Sequence, residues 1–421
     1  SEFDPEQWGL HNYGQEYYPG ESGTPGVDVD AINAWDKEKG NENIVIAVLD
    51  TGVDYTHNDL MNKIWNNEDE IPNNGIDDDQ NCESWWPFYY DVSEACIDDT
   101  MGADFVTIEL TSGCTDIDCD DPDPDPMDAN GHGTHVAGVA GAETNNQEGI
   151  ASLCQNCKIM PVRVCYDKNG QGKCSMLTVL YGIYYATNNN ASIISMSLGL
   201  VDETCGSEWG PVNDAITHAN NTGAVITAAA GNNGNDEYFY PACRPEVIAV
   251  ANHKPDATKY SSSNYGTWID VAAPGYDIHT TGLNNPYIWT GGTSLSTPFV
   301  SSLAGLLLSS YPDFTPTQIR NIIMDSSVEL DWGPESIAAG RINANNALNE
   351  FCVHNQELVW NNTCVNQDNS PKYCQNHQII NNCQTCGCPT HYVCQTNGNC
   401  KRGKTFPLAT AIHHPREPIL I

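Results

Sequence analysis

Five short apolar runs, separated by helical stretches, constrain this chain more than any other feature. Residues 44–49, 158–164, 192–198, 224–229 and 247–251 are rich in Val and Ile and lack the polar alternation of a half-exposed strand. Runs of that length and character read as strands buried on both faces. Helical patterns lie at about 132–143, 176–188 and 210–222. Such alternation argues an α/β fold, a mostly parallel sheet flanked by helices on both faces. The pattern runs from Asn43 to about Asn349, so residues 1–349 are assigned to one large domain.

Two regions break the rhythm. Between Lys63 and Lys158 there is no Lys or Arg, and 66–128 carries 20 acidic residues and four cysteines. That is the pattern of a loop-rich acidic insertion pinned by disulfides. From 350 to 400 cysteines arrive every few residues with almost no apolar periodicity. A segment of that size cannot hold a core unaided and reads as a small disulfide-rich module, similar to growth-factor-like extracellular modules in density and size. Residues 401–421 are basic and free of cysteine, as expected of a flexible tail or an expression remnant.

The balance of 55 acidic against 17 basic residues gives a formal net charge of −38. A chain of that charge repels nucleic acid and anionic membrane, and favours cations. Eighteen cysteines, without the histidine spacing of zinc sites, point to disulfides and an oxidising compartment. Ten fall between Cys82 and Cys243 and eight between Cys352 and Cys400, so each group can close internally; spacing does not give the pairing, and Cys165 with Cys174 is the one local bridge expected. Secretion is therefore expected, with a leader already removed. Sequons at Asn190, Asn220 and Asn361 add little in an asparagine-rich chain. The most apolar run, 299–308, is about half a membrane span and reads as a buried helix.

Four motifs carry chemistry. In Gly131-His132-Gly133-Thr134-His135-Val136-Ala137-Gly138, the glycines admit close approach of another segment, and an imidazole there can serve as general base or metal ligand. In Gly291-Gly292-Thr293-Ser294-Leu295-Ser296-Thr297-Pro298, Ser294 is either a helix cap or a nucleophile at a helix N-terminus. Asp50, in Val48-Leu49-Asp50-Thr51-Gly52, ends a strand, where α/β sites form, or caps a turn. Asn232, in Ala229-Ala230-Gly231-Asn232-Asn233-Gly234, is a turn former or an amide donor to an oxyanion.

Taken singly, each structural reading stands. In the order Asp, His, Asn, Ser, each within its own glycine-rich signature, the set resembles the subtilisin-like serine proteases over about residues 4–349. The resemblance implies a secreted serine endopeptidase acting on polypeptides through a Ser294 acyl-enzyme, with His132 as base, Asp50 orienting it, and Asn232 with the Ser294 N–H as oxyanion hole. It makes His135 a packing residue. Ser197-Leu198-Gly199 and Gly170-Gln171-Gly172 would be the edges of a cleft that adds an extended peptide as a strand. Ala229, Gly231 and Ser197 would line the primary pocket, with Phe239 near its base. An inhibitory N-terminal prodomain would be a partner before maturation. Leu295-Ser296 replaces the family's Met-Ala after the nucleophile, which removes an oxidisable sulfur beside the site.

The implied ion is Ca2+. Asp59 and Asn146 match the family's tight calcium site, and Asp4 can add an oxygen from the N-terminal arm. Asp77, Asp79 and Asn81 have the alternating spacing of a second calcium loop, without its Gly at position six or closing Glu. Asp121 to Pro126 reads as a solvated extended loop. The rival from another class is an inactive relative that binds through its cysteine-rich module. A metallopeptidase built on His132 and His135 is a third reading, but it lacks the Glu and the spacing of the helical zinc motif.

Overall fold

The computed structural model describes residues 6–18, 20–80, 93–107, 114, 119 and 122–349, and the backbone of strands between Phe351 and Arg402. The chain divides into two compact units, Ser1–Leu348 and Asn349–Ile421.

The first unit is built on seven strands: β1 (Val45–Asp50), β2 (Ala103–Asp104), β3 (Lys158–Arg163), β4 (Ile193–Met196), β5 (Val225–Ala229), β6 (Val247–His253) and β7 (Val271–Pro274). Their order is β7-β6-β5-β4-β1-β3-β2, and every pairing is parallel. The five apolar runs of the sequence are the five central strands, while both edge strands escaped the reading. Edge strand β2 comes from inside the acidic insertion and is only two residues long, too short to show a period. The segment from Asp121 is not wholly solvated either: Asp123 exchanges backbone hydrogen bonds with Asp104 of β2, and Pro122 and Pro126 are buried.

Five helices cover the sheet: α1 (His132–Gly141), α2 (Met176–Asn188), α3 (Gly210–Thr222), α4 (Thr293–Ser310) and α5 (Pro316–Asp325). Successive strand residues face opposite sides. Val45, Ala47 and Leu49 of β1 therefore join the core under α2 and α3. Ile46 and Val48, equally buried, belong to the side covered by α1 and α4. The strands read as continuous apolar runs because neither face meets water. Local chemistry sets the helix starts. Ser175 accepts from Leu177 N to cap α2, and Thr315 with Gln318 forms a capping box on α5.

Among the described residues the disulfides staple loops rather than the seven-stranded sheet. Cys165–Cys174 closes a hairpin as expected, and Cys154–Cys157, Cys114–Cys119 and Cys205–Cys243 close three further loops. Among the described residues no helix is long and apolar enough to cross a membrane, and 299–308 lies within buried α4. In the second unit short strands form three small antiparallel sheets, from Phe351–His354 through to Cys400–Arg402. The strand Cys400–Arg402 takes in Lys401 and Arg402, the first residues of the expected tail, and 403–421 lie outside the described residues.

The N-terminal arm is tied to the sheet by Trp8, whose Nε1 donates to the carbonyls of Tyr276 and Asp277. Its ring meets His253, the last residue of β6, edge-on at 5.8 Å. His253 is fully buried, Nδ1 facing the Lys254 carbonyl at 2.9 Å and Nε2 without a partner. Burial pushes its pKa down to about 4, the Lys254 carbonyl opposing only in part. The unfolded chain takes up this proton near pH 6.5 and the folded one does not. The stability is thus present above about pH 6.5 and is lost as pH falls toward 4, by on the order of 3 kcal/mol. The unfolding free energy of His253→Leu should lose that much less than that of the parent between pH 6.5 and 4. Parallel curves would contradict the assignment.

Candidate active site

Asp50 ends β1 with 1% of its surface exposed, flanked in register by Arg163 at the end of β3. Arg163 in turn pairs with Asp104 of β2, so a buried ion pair sits beside the strand end that carries Asp50. Asp50 Oδ1 accepts from Thr51 N at 2.8 Å and from His132 Nδ1 at 2.7 Å, while Oδ2 is buried and unpartnered. Burial alone favours a neutral His132. The Asp50 carboxylate on Nδ1, with Asp128 behind it, outweighs that and raises the imidazole pKa above its ordinary value.

His132 opens α1, and Asp128 explains its placement. This buried carboxylate accepts from Thr51 Oγ1, from the backbone N–H groups of Asn130, Gly131 and Thr134, and from Thr134 Oγ1. Five donors tie the strand end to the helix start. Gly133 completes the join: a Cβ there would lie 2.0 Å from the Gly52 carbonyl oxygen, so only glycine permits the contact. Asp128 was missed from sequence, although an Asp just ahead of a helix is a capping signal. His135 packs instead. Its carbonyl accepts from Thr280 Oγ1, and burial, with His132 nearby, pushes its pKa down to about 4.

Ser294 is the second residue of α4, after Gly292 as cap, and makes no side-chain cap. Pro298, four residues on, has no N–H to give the Ser294 carbonyl. Ser197 Oγ takes that place at 2.7 Å and so fastens the strand end of β4 to the helix start. Ser294 Oγ donates to the Ser197 carbonyl at 3.4 Å, a weak bond that leaves the hydroxyl free to turn. Asn232 follows β5, and its Oδ1 accepts from Thr293 N at 3.0 Å and Thr293 Oγ1 at 3.2 Å. Its carbonyl oxygen thus faces the residue before Ser294, and its Nδ2 has no partner among the described residues.

The cleft candidates gather around these groups. Gly170 and Gly172 lie in the disulfide-closed hairpin of Cys165–Asp167 and Gly172–Cys174. A Cβ on Gly172 would sit 3.1 Å from Thr51. Ser197, Leu198 and Ala229 are buried at strand ends. Gly199 and Gly231 both abut the Phe239 ring, since a Cβ would come within 2.5 Å of it at Gly199 and 2.9 Å at Gly231. Leu200–Val201 pairs with Phe239–Tyr240, and Cys205–Cys243 ties the two segments again.

Two groups offer oxygens to a cation. Asp59 is fully buried, and its carboxylate accepts from Asn146 Nδ2 at 2.6 Å, Ile150 N at 2.9 Å and the Tyr287 hydroxyl at 3.0 Å. Asn146 presents its amide hydrogens to Asp59, so ligation by both requires that amide to turn over. Asp4 lies outside the described residues, as does Asn81. In the acidic insertion, Asp77 and Asp79 meet Glu70, one oxygen of each lying within 4.8 Å of the others. Glu70 is 5% exposed, and its Oε1 is buried without a partner. A buried side chain with one carboxylate oxygen unbonded among the described residues, close to two further carboxylates, suits a hard oxygen-seeking cation. Glu70 was missed because it precedes the Asp-X-Asp spacing by seven residues, within general acidity.

Comparison with known proteins agrees with this arrangement. The model of the subtilase family, Peptidase_S8, matches residues 41–366. A thermophilic serine proteinase of Bacillus sp. (strain AK1) is 38% identical over 75% of this chain and 64% of its own. Thermitase of Thermoactinomyces vulgaris is 35% identical over 76% of this chain and 93% of its own. The chain therefore spans less than two thirds of the first relative and nearly all of the second. Among solved structures, a protease from Pseudoalteromonas arctica superposes with a TM-score of 0.62 at 27% identity, over 83% of this chain and 99% of that one. A parallel sheet whose strand ends carry the Asp50–His132 pair and the Asn232–Thr293 pair, and a family match across most of the chain, lead to one conclusion: this chain belongs to the subtilase family.

Proposed function

We propose that the chain is a secreted serine endopeptidase, and that Asp50, His132, Ser294 and Asn232 carry its chemistry. The observation that carries the reading is the 2.7 Å bond from His132 Nδ1 to a buried Asp50, with Asn232 docked on Thr293 beside Ser294. Ser294 Oγ attacks the scissile carbonyl carbon and passes its proton to His132 Nε2. Asp50 fixes the tautomer and stabilises the imidazolium. The carbonyl oxygen becomes an oxyanion held by Asn232 Nδ2 and the Ser294 N–H, helped by the N-terminus of α4. The C–N bond then breaks, the amine leaves with the proton from His132, and water repeats the cycle on the acyl-enzyme. The first test is Ser294→Ala, which should abolish hydrolysis with the fold intact. Because the raised His132 pKa must be crossed for the base to be neutral, kcat/KM of the parent should fall as pH drops, with a midpoint above about 6.5. A midpoint at or below 6.5, or substantial activity in Ser294→Ala, contradicts the assignment.

Residues 1–349 are assigned to catalysis, 350–400 to a separate disulfide-rich module and 401–421 to a tail. The disulfides support an oxidising, extracytoplasmic location. A polypeptide substrate would add along Ser197–Gly199 and Gly170–Gly172, and an inhibitory prodomain would occupy the same cleft before maturation. Phe239, against Gly199 and Gly231, supports a shallow primary pocket. Small residues should then be preferred before the cut, and Phe239→Gly should admit large aromatic ones, as read by cleavage profiling on a mixed peptide library. Equal tolerance of bulky residues in the parent would place the ring outside the pocket.

Calcium is the ion this reading assigns, at Asp59 and Asn146 with Asp4, and at Asp77 and Asp79, with Asn81 or, on the geometry above, Glu70. Burial raises the Glu70 pKa, as do the charges of Asp79 and Asp78, which is the cost a cation would relieve. Binding to the folded state alone stabilises it by mass action. Chelation should lower the melting temperature of Ser294→Ala, a background free of autolysis. Sodium at matched ionic strength should restore much less than calcium, because screening does not bridge loops. Glu70→Gln should shrink the calcium-dependent rise. A melting temperature indifferent to chelator refutes the calcium assignment.

A further inference from the structure

The Asn232 loop, 230–235, leaves β5, and among the described residues its backbone is gripped by the buried side chain of Asn264. Asn264 is 0% exposed. Its Nδ2 donates to the Ala230 carbonyl at 2.9 Å, and its Oδ1 accepts from Asn233 N at 2.9 Å and, more weakly, from Asn235 N at 3.5 Å. Its own backbone N–H donates to the Gly231 carbonyl at 3.0 Å. The side chain and backbone of one residue therefore grip the chain immediately before and after Asn232. Flanking bonds from Gly234 N to the Ser262 carbonyl and from Tyr265 N to the Asn235 carbonyl close the seam between the two segments.

The grip is tight and selective. Gly231 has φ +98°, and a Cβ there would lie 2.7 Å from Asn264 Nδ2 on one side and 2.9 Å from the Phe239 ring on the other. Only an amide satisfies both ends of the loop. A carboxylate of the same size would oppose the Ala230 carbonyl with a second acceptor, and an apolar residue would leave a buried carbonyl and N–H unpaired. Asn232 itself is exposed, and Thr293 holds only its Oδ1. The direction of Nδ2 therefore depends on the backbone beneath it.

We propose that Asn264 is a positioning residue for the reaction, one that sets the oxyanion-donating geometry of Asn232 and never touches substrate. The claim rests on the serine endopeptidase reading. A loosened loop would bind substrate as before and lose an interaction made only after attack, so the effect should appear in kcat.

The test is a double-mutant cycle on the full chain with a peptide substrate. Asn264→Ala, and the isosteric Asn264→Asp, should each lower kcat at least tenfold with KM within twofold. In an Asn232→Ala background the same substitutions should change kcat less than twofold, because the group they position is gone. An equal fold loss in both backgrounds, or a loss residing in KM, overturns the proposal, and thermal melting of each variant identifies any that has unfolded. If the parent hydrolyses no peptide, the endopeptidase reading falls and this inference with it. If the parent is active and the cycle is additive, this inference alone falls.

Discussion

A carboxylate with 1% of its surface exposed sits at the end of a strand whose every residue is buried, and the rest of the site follows from how that charge is met. Burying an unpaired carboxylate is costly. Here Asp50 has two donors on one oxygen, Thr51 N and His132 Nδ1, and none on the other. The imidazole is therefore more than a neighbour. When it takes a proton it becomes the main compensation for the Asp50 charge, which raises its pKa and orients its ring. A parallel sheet makes this possible, because its strand ends meet loops from many parts of the chain at one edge.

The remaining parts are held by rigid joins rather than by the proposed catalytic groups. Asp128 clamps Thr51 to the first turn of α1, Ser197 replaces the helical donor that Pro298 lacks, and Asn264 braces the Asn232 loop. Each join is buried and hydrogen-bonded at both ends, and each connects a strand end to a separate segment. Among the described residues, the loops of the proposed cleft around Gly170 and Phe239 lack such joins. They carry the disulfides instead: Cys165–Cys174 closes the hairpin of Gly170 and Gly172, and Cys205–Cys243 ties the two sides of Phe239.

Much of this was legible in the sequence. The run Val-Ile-Ala-Val-Leu-Asp fixes a buried strand ending in an acid, and the glycines around His132 require a close approach that the structure supplies at Gly52. What stayed hidden has a common physical cause. Asn264 depends on partners 31 and 34 residues away, β2 is too short to show a period, and Glu70 lies among other acids, so nothing local distinguishes them. Asn264 follows three serines and reads as loop, and Glu70 is one acid among many. Spacing announces residues that work within one segment, whereas residues that brace one segment against another become visible only when the chain is folded.

The central claim is that Ser294 is a nucleophile activated by His132. The most direct measurement is covalent labelling with a peptidyl phosphonate, followed by peptide mapping by mass spectrometry. One equivalent of adduct is expected on Ser294 of the parent, with labelling slowed at least a hundredfold in His132→Ala at unchanged thermal stability. An unlabelled Ser294, or labelling of the same residue at the same rate without His132, would contradict it.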